Sequence, residues 1–280
     1  MQRPATVTTM LFPRALVRFV AEVVGVGIPF FLYFLTRGAV AGRATEAFYR
    51  GGEIVDLERR LGIFHEVEIQ AIFLPDRSMI QILNAVYFWG HFPFILAMAV
   101  PLYLWRRPMY QFLRNALLAS GALGLIIYVA YPVAPPRLMP HLGFVDTLDR
   151  FSRLSYQSES LGAFTNPFAA VPSLHVGWAL VIGITFVWMF RHPLLRMFGV
   201  TWPLLQGTAV IVTGNHFFFD ALAGAVVSLA GFAVAWAIRR HQLRAAQAGQ
   251  RSGEPWQSQG GEAISDGQIE GAAISSSGGT

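Results

Sequence analysis

Long apolar stretches alternate with short polar segments along most of the chain. Six of these stretches are long enough, or nearly so, to cross a hydrocarbon core of about 30 Å, which takes roughly 20 residues of helix. They cover residues 16–36, 79–105, 112–131, 173–190, 198–213 and 217–238. The pattern therefore predicts an all-α fold, a six-span transmembrane helical bundle.

The arginines between the spans predict the orientation of the bundle. Arg106, Arg107 and Arg114 flank the second loop, and Arg191 and Arg196 lie in the fourth. Because short loops that carry arginine tend to stay on the cytoplasmic side, both loops are expected to be cytoplasmic. An even number of spans then puts both termini on that side. We expect a multi-pass protein of the cell (plasma) membrane.

The first apolar stretch has a second interpretation. Basic residues precede it and Ala39-Val40-Ala41 imitates a cleavage site, as in a secretory signal. Its apolar core is long for a signal and contains Glu22, so we expect a membrane span. Cleavage would leave the other spans in the same orientation.

The outside loop between the first two spans has a helical pattern of its own. Ile54, Leu57, Leu61 and Phe64 recur at helical spacing, while charged residues such as Glu58 occupy other faces. The pattern predicts an interfacial amphipathic helix along the outer headgroup layer. Two functions remain open for it, shaping the access of a lipid substrate and acting as a plain structural brace.

The composition of the chain changes after residue 245. The remaining stretch is rich in Gln, Gly, Ser and Ala and has no apolar period, which predicts a disordered cytoplasmic tail over residues 246–280. The organisation expected from the sequence is a cytoplasmic N-terminus (1–15), a membrane catalytic domain (16–245) and this tail.

Composition agrees with a membrane protein and excludes several kinds of chemistry. Of the 280 residues, 54% are hydrophobic and 13% are charged, and the mean hydropathy is +0.47. All 21 basic residues are arginines that lie singly or in pairs rather than in a patch, which favours anionic lipid headgroups over nucleic acid as partners. The sequence has no cysteine and no lysine, which excludes disulfides, thiolate chemistry and Schiff bases.

Three polar features lie at span ends that are predicted to face outward. Pro135-Pro136-Arg137 follows the third span, Pro172-Ser173-Leu174-His175 opens the fourth, and residues 214–220 join the fifth span to the sixth. Because the fourth and fifth spans form a hairpin, His175 and His216 should reach the same depth. They could then act on one substrate.

The spacing of His216 and Asp220 indicates a paired histidine. Residues four apart lie on one face of a helix, so the carboxylate can hold the Nδ1–H of the ring. The other ring nitrogen then keeps a lone pair, as a nucleophile or a base requires.

His175 is expected in the first turn of its span, behind Ser173 as N-cap. Backbone N–H groups are unpaired there and favour an anion such as phosphate. In this hypothesis His175 is the general acid that protonates the leaving oxygen. Arg137, Ser173 and Asn215 are expected to bind the phosphoryl oxygens.

Each of these residues also has a plainer interpretation. A histidine at a membrane interface can simply contact headgroups, Ser173 can be only a cap, and Arg137 can bind lipid phosphate. Asp220 is harder to explain in this way, because a carboxylate inside a span is costly without a partner. Two histidines and an aspartate also suit zinc or iron, although we expect neither a metal nor another cofactor.

At these residues the sequence resembles the type 2 phosphatidic acid phosphatase superfamily, especially the branch related to inositol phosphorylceramide synthase and other lipid phosphotransferases. The P-S-x-H element matches at residues 172–175, and the H-x-x-x-D element matches at residues 216–220. Asn84, Tyr87 and His91 also resemble that branch and are possible substrate-pocket residues. Leu57-Glu58 and Gly62-Ile63 in the loop resemble it as well.

The resemblance implies a six-helix membrane enzyme without metal. His216 would attack phosphorus to form a phosphohistidine, Asp220 would orient it, and His175 would be the acid. The chain departs from the phosphatases of the superfamily at two points. Their first motif contains a lysine, for which Pro135-Pro136-Arg137 stands in, and the Ser-Arg pair of their third motif is absent from residues 208–212. These departures favour the phosphotransferase branch.

The sequence thus predicts a membrane enzyme that cleaves a phosphoester or phosphodiester of a phospholipid or other lipid phosphate and passes the phosphoryl unit to a lipid or polyol acceptor. One alternative is a lipid phosphatase that uses water and releases inorganic phosphate. A second alternative is a non-catalytic protein that binds or transports phospholipid with the same residues.

Overall fold

The computed structural model describes residues 11–40, 42–152 and 166–252, and these residues form α-helices joined by short loops. The helices are α1 (Leu11–Val40), α2 (Ala44–Leu61), α3 (Glu66–Phe73), α4 (Arg77–Trp89), α5 (Phe92–Trp105), α6 (Arg107–Ala130), α7 (Thr147–Phe151), α8 (Leu174–Met189), α9 (Pro193–Val212) and α10 (Phe218–Ser252). Within the described residues the only β-type pairing is an isolated bridge between Val133 and Ala169. The predicted all-α class is confirmed.

Several of these helices are apolar enough to lie in a membrane. Arg107–Ala130, Pro193–Val212 and Phe218–Ala248 are each long enough to cross it, and α4 and α5 pass the same test as a pair bent by 54°. The helix α8 and the segment Phe19–Pro29 of α1 are apolar but shorter. The described part of the chain therefore has three or four helices that can span a membrane by length and composition, as expected of a membrane protein.

The sequence predicts one continuous helix over residues 79–105, and the structure has two. Pro93 lies in the first turn of α5 and has no N–H to continue the hydrogen bonds of α4. Gly90 ends α4, and a Cβ there would lie 2.1 Å from the side-chain nitrogen of Gln206 and 2.3 Å from the carbonyl oxygen of Val86. The bend therefore combines a local cause, Pro93, with the distant contact of Gln206 at Gly90, and it brings His91 to the junction of the two helices.

The amphipathic pattern between the first two predicted spans does form a helix, α2. Ile54 is buried, whereas Leu57 and Leu61 are 38% and 62% exposed. Glu58 was expected on a polar face and is fully buried. The prediction is wrong for Glu58, because the stripe that packs against the rest of the protein passes through Ala47, Ile54 and Glu58. The interfacial position of the helix stays a prediction.

Two arginines attach α2 to the C-terminal end of α6. The side chain of Arg43 donates to the carbonyl oxygen of Val129, and that of Arg50 donates to the carbonyl oxygen of Ala130 at 3.0 Å. A helix C-terminus has unpaired carbonyls and favours cations. These contacts fix the start of the loop that leads from α6 to the candidate site.

The helices α8 and α10 cross with their backbones in contact. A Cβ at Gly224 would lie 2.0 Å from the carbonyl oxygen of Ser173, and a Cβ at Gly177 would lie 2.1 Å from Oγ of Ser228. Small residues at a crossing are the usual way for membrane helices to approach closely. The crossing brings the first turns of both helices together.

The chain divides into two compact units, Met1–Arg240 and His241–Thr280. All of the candidate site residues belong to the first unit. In the second unit, the helix continues past residue 246 to Ser252, so part of the predicted disordered tail is helical. The rest of that tail and residues 1–10 lie outside the described residues.

Candidate active site

The three polar features that the sequence places apart come together at the start of α8 and α10. The imidazole rings of His175 and His216 have centroids 5.8 Å apart. The backbone N–H of Ser173 donates to the carbonyl oxygen of Asp220 at 2.9 Å, which ties the two helix starts directly. The predicted meeting of the two histidine motifs at one site is therefore a feature of the fold.

His216 is held by hydrogen bonds. Its Nδ1 lies 2.9 Å from the carbonyl oxygen of Ala170 and 3.4 Å from Oδ2 of Asp220. Because a carbonyl oxygen can only accept, Nδ1 carries the proton and Nε2 keeps the lone pair. The sequence assigns the proton of Nδ1 to Asp220 alone, whereas the structure gives the shorter contact to Ala170.

The carbonyl of Ala170 is itself fixed by the backbone around it. The N–H of Ala170 donates to the carbonyl oxygen of Val133 at 3.3 Å, and the N–H of Val133 donates to that of Phe168 at 2.9 Å. The loop after α6 therefore positions the group that selects the tautomer of His216. No side-chain motif in the sequence points to a backbone carbonyl, so sequence analysis missed it.

Asp220 is fully buried in the first turn of α10. Its Oδ2 accepts the N–H of Phe217 at 2.9 Å in addition to facing His216, and its Oδ1 is buried without a hydrogen-bond partner in the described residues. The side chain thus both caps the helix and supplies a negative charge beside the imidazole.

Two further carboxyl groups, Glu58 and Glu66, contact the same helix turn and were not assigned to the site from the sequence. Glu66 accepts the N–H of Phe218 at 2.9 Å, and Glu58 accepts the N–H of Phe219 at 2.7 Å. Both side chains are fully buried. Burial and the hydrogen bond with Glu66 raise the pKa of Glu58 to about 9. The signal in the sequence is that Glu58 follows Ile54 by four residues and so interrupts the buried stripe of α2.

His175 is held by aromatic rings instead. Its imidazole stacks on Tyr87 with centroids 4.4 Å apart and planes at 12°, and on His91 with centroids 3.9 Å apart and planes at 24°. His91 stacks in turn on Trp178, whose indole N–H donates to Ser120. Nε2 of His175 is buried and has no hydrogen-bond partner in the described residues. The structure thus brings the predicted Tyr87 and His91 into contact with His175.

Asn84, the third predicted pocket residue, has a different partner. Its side-chain amide donates to the carbonyl oxygen of Thr147 at 2.8 Å, and its carbonyl accepts the hydroxyl of Thr147 at 2.7 Å. These two bonds fasten α4 to α7. The structure supports a bracing function for Asn84 rather than a place in the pocket.

Arg137 and Asn215 form a pair beside His216. The guanidinium of Arg137 donates to the side-chain oxygen of Asn215 at 2.7 Å, and its Nε lies 3.7 Å from a carboxylate oxygen of Asp146. The amide nitrogen of Asn215 donates to the hydroxyl of Thr213 at 2.8 Å. The backbone N–H of Arg137 also donates to the carbonyl oxygen of Gly214 at 2.7 Å, which joins the loop after α6 to the loop before α10.

Ser173 occupies the N-cap position of α8 but does not cap it with its side chain. The residue is fully buried, and its hydroxyl has no hydrogen-bond partner in the described residues. The expected capping bond is therefore absent. A buried hydroxyl next to the first turn of a helix is suited to bind an anion there.

The zinc or iron alternative depends on how the possible ligand side chains are arranged. In the part of the chain that the structure describes, no group of three or more His, Cys, Asp or Glu side chains could hold a metal ion. The contacts of His216 with Ala170 and of His175 with Tyr87 and His91 use these side chains in other ways.

Comparison with known proteins gives one match. The sequence model of a family described as the PAP2 superfamily matches residues 52–234, which include every candidate site residue. No curated protein and no solved structure matches the chain.

Proposed function

The chain belongs to the PAP2 superfamily, and on this premise we propose that it is a membrane lipid phosphotransferase that works through a phosphohistidine on His216. Membership implies phosphatase or phosphotransferase activity on phosphoesters. The lipid substrate, the covalent intermediate and the division of roles among the residues are our proposal.

The observation that carries the proposal is the contact between Nδ1 of His216 and the carbonyl oxygen of Ala170 at 2.9 Å. It leaves the lone pair on Nε2, the arrangement that a histidine nucleophile requires. Asp220, at 3.4 Å from the same nitrogen, would stabilise the positive charge that the ring gains when it attacks phosphorus.

In the first step, Nε2 of His216 forms a bond to phosphorus and the bond from phosphorus to the leaving oxygen breaks. His175 donates its Nε2 proton to that oxygen, which leaves as an alcohol. Arg137 and Asn215, with the hydroxyl of Ser173, would hold the phosphoryl oxygens during the transfer.

In the second step, the hydroxyl of an acceptor attacks the phosphohistidine. His175, which lost its Nε2 proton in the first step, takes the proton of that hydroxyl at the same nitrogen, the new bond from oxygen to phosphorus forms, and the bond from phosphorus to His216 breaks. A lipid or polyol acceptor makes the protein a phosphotransferase, and water makes it a phosphatase that releases inorganic phosphate.

We further propose a six-span topology, with α1, the bent pair α4 and α5, α6, α8, α9 and α10 as the spans. The helices α5 and α8 both begin at the candidate site and have 14 and 16 residues, which is about 21 to 24 Å of helix. If their far ends reach the cytoplasmic headgroups, the site lies at the outer edge of the hydrocarbon layer. A lipid headgroup can reach a site at that depth. We also propose a plasma membrane location with cytoplasmic termini, which the arginines in the loops after α5 and α8 support.

The proposal is tested by labelling the purified protein with a lipid that carries radioactive phosphorus in its headgroup. Acid-labile, base-stable label is expected on the wild-type chain and on His192→Ala, an exposed histidine outside the site. It should be missing from His216→Ala. Label or unchanged turnover in folded His216→Ala would overturn the proposal.

The same experiment separates a transferase from a phosphatase. When a polyol or lipid acceptor is added, a transferase moves the label to the acceptor, whereas a phosphatase releases it as inorganic phosphate. Binding of the lipid without turnover in the wild-type chain would leave only the non-catalytic alternative.

A further inference from the structure

Glu58 of α2 and Glu66 of α3 lie against the first turn of α10 and have no part in the proposed transfer steps. They accept the N–H groups of Phe219 and Phe218, which lie between His216 and Asp220 in the chain. The backbone that separates the proposed nucleophile from its carboxylate is therefore held from outside the helix. Any shift of this turn would move both side chains.

The two glutamates interact with each other as well as with the helix, since burial, together with a side-chain hydrogen bond and a charge from Glu66, raises the pKa of Glu58. The second carboxyl oxygen of each, Oε2, is buried and receives no hydrogen bond from another donor in the described residues. Two ionised carboxylates cannot remain adjacent in a buried site, because both lose hydration and repel one another. A proton on one of them removes the repulsion and lets it donate to the other.

The charges around Glu58 act in the same direction. The ionisable groups that act on it are Glu66 from α3 and Asp220 from α10, both acidic. The N–H of Phe219 opposes them, but burial dominates and the pKa of Glu58 reaches about 9. Glu58 therefore keeps its proton at neutral pH.

The three carboxyl groups also determine where a phosphate can bind. The N–H groups of Phe217, Phe218 and Phe219 are all taken by carboxyl oxygens, so the start of α10 offers these donors to no other anion. The start of α8 has the buried hydroxyl of Ser173, which has no hydrogen-bond partner among the residues that the structure describes. We therefore expect the phosphate of a substrate to bind at the start of α8 rather than at the start of α10.

We propose that Glu58 and Glu66 are a proton-sharing carboxyl pair that positions His216 and Asp220 by clamping the first turn of α10. Neither glutamate touches the reacting atoms, so both are positioning residues. The inference rests on the proposed function of His216.

The first experiment compares three variants of α2 in the purified full-length protein. Glu58→Gln keeps an oxygen for the N–H of Phe219 and a donor for Glu66, Glu58→Ala removes both, and Asp56→Asn changes an exposed carboxylate on the same helix. We expect Glu58→Ala to lose about tenfold or more in turnover of a phospholipid, because a displaced His216 is poorly placed to attack phosphorus. Glu58→Gln should restore most of that loss.

The pH profile separates a positioning pair from an ordinary cap. In the wild-type chain and in Asp56→Asn, turnover should fall as Glu58 ionises near pH 9. Two adjacent carboxylates then repel each other and weaken their hold on the first turn of α10. In Glu58→Gln this loss should be absent. An unchanged alkaline limb in Glu58→Gln would overturn the proposal.

Infrared spectroscopy tests the shared proton without using turnover. A carbonyl band of a protonated carboxylic acid should be present at neutral pH in the wild-type chain and missing in Glu58→Gln. If the band is missing in the wild-type chain, the proton-sharing pair is wrong even when His216 is the nucleophile. If His216→Ala retains turnover while the band behaves as expected, the proposed function fails and the carboxyl pair stands.

Discussion

The two imidazoles of the site are positioned by opposite means. His216 is fixed through Nδ1 by the carbonyl of Ala170 and the carboxylate of Asp220, and these contacts decide which nitrogen carries the proton. His175 is held between the rings of Tyr87 and His91, which fix the plane of its ring but leave the choice of tautomer open. In the proposed mechanism, the hydrogen bonds keep His216 in one tautomer, while the stacked rings leave His175 able to lose and regain a proton.

The largest effect is expected when the proposed general acid, His175, is replaced. His175→Phe keeps an aromatic ring between Tyr87 and His91, so the fold should survive. We expect turnover of an alkyl phosphoester to fall by about 10²- to 10⁴-fold, the usual contribution of a general acid. An aryl phosphoester, whose leaving group needs no proton, should lose far less. Equal losses on both substrates in a steady-state assay would contradict the role of acid.

Asp220→Asn tests the hydrogen-bonded side of the comparison. The amide can still accept the N–H of Phe217, and the carbonyl of Ala170 still holds Nδ1–H. Only the negative charge beside the imidazole is lost, so we expect a fall in turnover of about 10²-fold. Rapid-quench measurement of phosphoenzyme formation should assign the loss to the first step. Unchanged phosphoenzyme formation would mean that Asp220 is only a helix cap.

Substitution of His91 tests the aromatic contacts that hold His175. His91→Leu removes one face of the stack on His175, and we expect turnover to fall by about tenfold through looser placement of the acid. His91→Phe retains an aromatic face and should recover most of the activity. The ratio of alkyl to aryl turnover should fall only in His91→Leu. If His91→Phe is as impaired as His91→Leu, the imidazole of His91 has a function beyond stacking.

The smallest effect concerns stability rather than catalysis. Burial raises the pKa of Glu58 from 4.5 to about 9, so the folded chain binds a proton that the unfolded chain has released. This contribution is complete below about pH 4.5 and is lost as the pH rises towards about 9, so stability should fall across that interval. Thermal unfolding of the wild-type chain between these pH values should show the decline, and Glu58→Gln should flatten it relative to Asp56→Asn.

Much of the fold could be predicted because the apolar stretches are long. Helix covers each of the six predicted spans, as two helices over residues 79–105, and the class is all-α as expected. Three or four of these helical segments are long enough to cross a membrane. The bend at Gly90 was missed because it depends on the approach of Gln206, a contact between residues that are distant in the chain. Pro93 was its only local sign.

The candidate site was less completely predictable. The spacing of four between His216 and Asp220 is local, and their pairing followed from helix geometry alone. The carbonyl of Ala170 and the buried Glu58 and Glu66 were missed, since their partners lie 46 to 161 positions away in the chain. Asn84 was assigned to the pocket, but Thr147 takes its side chain.

By itself the sequence determined that this protein is helical and apolar, and that two histidines and an aspartate stand at the ends of predicted spans. The helical and apolar character follows from a pattern that repeats every few residues, so a short stretch of sequence is enough to recognise it. The tertiary structure decided which nitrogen of His216 is free, what surrounds His175, and which carboxyl groups hold the start of α10. Hydrogen bonds and ring contacts act only over a few ångströms, so they exist only after the fold has brought distant residues together.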